Sequence, residues 1–71
     1  MKNNIKKLRE ELGISQEQLA NIVNIPVEEL NDIESNKNIP SLLTARDITK
    51  ALKKDFIADV FLFEEWFFLK S

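Results

Sequence analysis

The chain has 71 residues and carries ten Lys or Arg against twelve Asp or Glu, a formal net charge of -2, with 44% apolar residues, one Gly and two Pro. A chain of that length makes one domain, spanning 1–71, and buries only roughly 60% of the surface it exposes when unfolded, while so little Gly and Pro argues against a loop-rich or disordered chain. With neither Cys nor His, disulfides, thiol chemistry and the usual zinc-ligand sets are excluded; no acidic run has calcium-loop spacing, so no cofactor or metal is expected.

Ile5, Leu8 and Leu12 recur at helical spacing among Lys and Glu, which predicts an amphipathic helix over residues 3 to 12, stopped by Gly13. Ser15-Gln-Glu-Gln18 then reads as a capping box opening a second helix, whose buried face is Leu19, Ala20 and Val23 with Ile22 nearer the edge. Asn24-Ile25-Pro26 breaks it, because Pro disfavours the α conformation in the residue before it. A third helix is predicted from Pro26 or Val27 to about Ser35, burying Leu30 and Ile33, with Asn36 as a left-handed stop. Lys37-Asn38-Ile39 follows as a polar loop. Ser41 caps a fourth helix from Leu42 to about Lys53, with Leu42, Ala45, Ile48 and Leu52 pointing inward. Asp55 is the expected cap of a short fifth helix carrying Phe56, Ile57 and Val60.

The second and third helices are separated by only about three residues, and their apolar positions suit two short rods crossing steeply, a helix-turn-helix. The blocks Ile5-Lys-Lys-Leu-Arg-Glu, Ile14-Ser-Gln-Glu-Gln-Leu-Ala20, Ile33-Glu34 and Lys37-Asn-Ile-Pro-Ser-Leu42 stand in order and at the spacing of the Cro/repressor-type (Xre-like) helix-turn-helix domain, which the chain resembles from residue 4 to about 61. The resemblance implies an all-α fold, a compact five-helix repressor-like bundle whose third helix enters the DNA major groove, with dimers reading two half-sites. It implies that Arg9 and Glu34 form an ion pair between the first and third helices, with a structural role. It places DNA-contacting positions at Ser15, Gln16, Val27, Glu28, Asn31, Asp32, Asn36, Lys37 and Asn38, with Gln16 holding a phosphate at the start of the second helix.

The third helix departs from the family pattern. Where Ser, Thr, Gln, Asn, Arg or Lys are usual, this chain has Val27, Glu28, Glu29, Asn31 and Asp32. Carboxylates can accept from cytosine N4, Val27 can meet a thymine methyl and Asn31 can face adenine or a phosphate. Glu28 and Glu29 also sit in a first turn, where anions gain roughly 0.3 to 1 kcal/mol from the helix dipole whatever lies in front of them. Charge falls in blocks: residues 1 to 14 hold four cations and two anions, 15 to 34 five anions, 35 to 54 five cations and one anion, and 55 to 71 four anions and one cation. Phosphate affinity would therefore fall to Lys2, Lys6, Lys7, Lys37, Arg46, Lys50, Lys53 and Lys54.

All six aromatic residues lie in the last 16 positions. Phe56 and Phe61 can complete the bundle core. Phe61, Phe63, Trp66, Phe67 and Phe68 suit a homodimer interface, since aromatics anchor interfaces; intramolecular packing over the bundle is the other reading, and Glu64 and Glu65 oppose contact with an anionic membrane. Alternating Phe61 and Phe63 fit a strand, whereas Leu62, Trp66 and Leu69 fit a helix. The amino-terminal residues lack a signal peptide's apolar stretch and no run approaches the roughly 18 apolar residues of a membrane span, so a cytoplasmic location is expected.

Two functions are consistent with these features: a homodimeric regulator, expected to be a repressor, bound to double-stranded DNA at a two-fold symmetric operator, and a module that binds a partner protein through its acidic third helix or aromatic tail. An enzyme is not expected, because no His, Cys, Tyr or phosphate-cradling Gly loop is present.

Overall fold

Asn3 and Gly13 bracket the first helix. In the computed structural model, which describes residues 2–61, α1 runs Ile5–Leu12. It starts later than the predicted residue 3 because Asn3 is held in an antiparallel bridge with Phe61, and the Asn3 side-chain oxygen accepts from the Ile5 amide at 3.1 Å. Gly13 closes α1 in the left-handed conformation (φ 72°), where a side chain on Cα would crowd the backbone.

Helix α2, Gln16–Val23, opens on the capping box that the sequence predicts. Ser15 Oγ accepts from the Gln18 amide at 3.0 Å and Gln18 Oε1 accepts from the Ser15 amide at 2.7 Å, so two amides that α2 leaves unpaired are satisfied reciprocally. Asn24, at φ 60°, ends α2. Pro26 is the extended residue before α3, Val27–Glu34, and its carbonyl accepts from the Glu29 and Leu30 amides. Asn36 adopts φ 65° just past α3.

Helix α4, Leu42–Ala51, is capped by Ser41, whose Oγ accepts from the Thr44 amide at 3.2 Å. It stops short of the predicted Lys53 because Lys53 itself turns left-handed (φ 65°).

The expected fifth α-helix is corrected to one 3-10 turn, Ile57–Asp59, preceded by Phe56 in an extended conformation without a side-chain cap from Asp55. Just past the turn, the carbonyl of Val60 accepts the Asn4 amide at 2.7 Å.

The described residues therefore form an all-helical unit of four α-helices. Helix α2 packs against α1, α3 and α4, and the 3-10 turn packs against α4. One core joins Ile5, Leu8, Leu19, Ala20, Leu30, Ile33, Ala45, Ile48, Leu52, Val60 and Phe61. Three sequence expectations are corrected here. Phe56 lies 68% exposed rather than in the core, Leu42 is 45% exposed rather than inward, and Leu12, the last residue of the α1 stripe, is exposed as well. Leu12 and Leu42 each occupy a helix terminus, and of the two aromatics expected in the core only Phe61 is there. Buried Thr49 satisfies its hydroxyl by donating to the Ala45 carbonyl at 2.7 Å.

Candidate nucleic-acid interface

The geometry begins with charge fixed between helices. Arg9 Nε donates to Glu34 Oε2 at 2.8 Å and Nη2 to Oε1 at 3.0 Å, while Nη1 donates to the Ile14 carbonyl at 3.2 Å. The two side chains are 11% and 8% exposed. A planar fork matched to a carboxylate at that burial holds α1, the α1–α2 turn and the end of α3 in one arrangement.

Around this pair lies an open groove of about 410 Å³ lined by Lys6, Arg9, Gln16, Asn31, Glu34 and Ser35. Gln16, the first residue of α2, donates from Nε2 to Asn31 Oδ1 of α3 at 3.3 Å. Two residues read separately from the sequence thus meet across the helix-turn-helix. Arg9 is spoken for by Glu34, which leaves Lys6 as the cation of the groove able to meet an anion.

The remaining candidate positions divide by exposure. Ser15 is exposed and its hydroxyl is engaged in the cap. Glu28 and Asn31 are exposed on α3 and Asp32 is half-buried. Val27 is drawn inward, packing against the core, so its apolar surface serves the bundle. Asn36, Lys37 and Asn38 form an exposed loop directly after α3, and the amides of Lys37 and Asn38 both donate to the Asp32 carbonyl, at 2.9 and 3.2 Å. The loop is thereby stitched to the last turn of the helix it follows.

Of the aromatic interface candidates, Phe61 is 1% exposed and part of the core, while Phe63, Trp66, Phe67 and Phe68 lie outside the described residues. The sequence names Lys6 only among the cations that could meet phosphate and does not mark Ser35, although Lys6 stands three positions before Arg9 and so shares its helix face. Nor does it mark Asn3, whose contacts with Ile33 and Asn36 lie thirty and more residues away and leave no periodic signal. Among the described residues no helix is long and apolar enough to cross a membrane.

Known proteins resemble this chain over nearly its whole length. The helix-turn-helix family matches residues 5–57. An uncharacterized HTH-type transcriptional regulator of Methanothermobacter thermautotrophicus is 35% identical over 65 residues, covering 92% of this chain and 94% of that protein. The uncharacterized HTH-type transcriptional regulator YgzD of Bacillus subtilis is 42% identical over 65 residues, covering 92% of this chain and 97% of its own length.

Proposed function

The chain belongs to the Cro/repressor-type helix-turn-helix family, and from that membership we propose that it is a sequence-specific DNA-binding regulator, a repressor that acts as a cytoplasmic homodimer on a two-fold symmetric operator. The observation that carries this reading is the rigid pairing of α2 with α3. Gln16 and Asn31 meet on an exposed face, braced from behind by Arg9 and Glu34, and short rods held in this way suit the major groove.

In this reading the first amides of α2, with Gln16 and Lys6, hold a backbone phosphate, and the loop Asn36–Asn38 holds a second. Glu28 and Asp32 accept from the amino edges of bases, and their charge excludes sequences that offer only acceptors. The dimer contact is assigned to Phe63, Trp66, Phe67 and Phe68, because the side chain of Phe61 is already committed to the core.

The test is a salt titration of binding to a random-sequence duplex, followed by selection of bound sequences from a random pool and a light-scattering mass. The proposal expects affinity that falls as salt rises, one enriched palindromic site, and twice the chain mass. A monomer that binds no duplex even at low salt overturns it and directs attention to a partner protein for the acidic face of α3.

A further inference from the structure

We infer that Asn3 is the positioning residue for the loop after α3, setting the pose in which Asn36, Lys37 and Asn38 are presented; its importance to DNA binding rests on the function proposed above, but its effect on the loop does not. Asn3 Nδ2 donates to the Ile33 carbonyl at 2.9 Å and to Asn36 Oδ1 at 3.3 Å, across 30 and 33 residues of sequence. The last carbonyls of a helix lack partners within it. At the end of α3 the Ile33 carbonyl takes the Asn36 amide at 3.2 Å and Asn3 beside it. One residue from outside the helix therefore completes its carboxy-terminal cap and grips the side chain of the residue that turns the chain out of it.

That residue needs holding. Asn36 sits at φ 65°, a conformation costly to a side-chain-bearing residue even though Asn tolerates it best. The same Asn3 amide is anchored on its other side. Its oxygen accepts from the Ile5 amide at the start of α1, and its backbone bridges Phe61, while neighbouring Asn4 donates its amide to the Val60 carbonyl at 2.7 Å. The loop is thus referenced to α1 and to the carboxy-terminal segment rather than to α3 alone.

The two ends of the Asn3 amide can be separated chemically. Asn3→Asp keeps an oxygen for the Ile5 amide and removes the donor to Ile33 and Asn36; Asn3→Ala removes both. Native-state amide exchange of the full chain reads the result without DNA. Both variants should speed exchange at Asn36, Lys37 and Asn38 about tenfold, the loss of a hydrogen bond's worth of protection, while only Asn3→Ala speeds Ile5 and neither changes Leu19 or Ile48. Binding of a short random-sequence duplex at low salt should weaken severalfold in both. Loop exchange equal to wild type, or loop and core amides quickening in step, overturns the assignment. Failure of the wild-type chain to bind the duplex instead defeats the proposed function and leaves the exchange result to decide on Asn3.

Discussion

The guanidinium of Arg9 and the carboxylate of Glu34 meet through two parallel hydrogen bonds, 2.8 and 3.0 Å long, at the seam between α1 and α3. Because each side chain is about nine-tenths buried, removing one leaves the other desolvated and unpaired, unlike an exposed pair such as Arg46 with Asp47 at 3.6 Å, which is worth little. Glu34→Ala should cost about 3 kcal/mol, and an apolar double replacement, Arg9→Met with Glu34→Leu, should cost less than either single change. Urea unfolding of Glu34→Ala, of Arg9→Met and of the double variant decides the matter; single losses below about 1 kcal/mol would show that the pair is solvated in solution.

Two left-handed residues give predictions of opposite sign. A Cβ added at Gly13 would meet nothing within 4 Å, so only its φ of 72° resists substitution, and Gly13→Ala should destabilise by about 1 kcal/mol. Lys53 bears a side chain at φ 65°, and Lys53→Gly should stabilise by a few tenths to about 1 kcal/mol despite the added chain entropy of Gly. Thermal midpoints moving in the same direction for both would contradict the backbone assignment at one of them.

The two positions also show which features sequence carries. Gly13, Ser15, Asn36 and Ser41 are read correctly because caps and left-handed stops are written in one or two residues, the left-handed Asn24 is masked by the break assigned to Pro26, and the Arg9–Glu34 pair follows from a resemblance spanning the bundle. What escaped depends on distance. Asn3 acts through residues thirty and more positions away, and the Asn4 amide likewise ties the Val60 carbonyl after the 3-10 turn to the amino terminus. Sequence admits both Phe56 and Phe61 to the core; the structure chooses Phe61, the one that bridges Asn3.

That choice is measurable. Phe61 is buried with Val60 in the main core, whereas Phe56 is 68% exposed. Phe61→Ala should cost about 4 kcal/mol, most of what a domain of this size possesses, and Phe56→Ala should stay within about 0.5 kcal/mol. Comparable losses in the two variants would refute the assignment of core and surface.

The charge on α3 supplies the most direct check on DNA binding. Glu28 is exposed and Asp32 half-buried on the same helix, where each carboxylate repels the phosphates that the proposed docking would bring near. Replacing either with its amide, Glu28→Gln or Asp32→Asn, should tighten binding to a random duplex by about fivefold at low salt, the size of one charge pair at close range in water, with the gain fading as salt screens it. Discrimination among selected sequences should fall at the same time, because an amide offers a donor where the acid offered only acceptors. Lys37→Ala should act oppositely, weakening all sequences alike and lowering the salt slope by about 0.9 for the one phosphate it releases. Charge variants on α3 that leave both affinity and base preference untouched, with Lys37→Ala leaving the slope as it was, would place the DNA on some other face or on none.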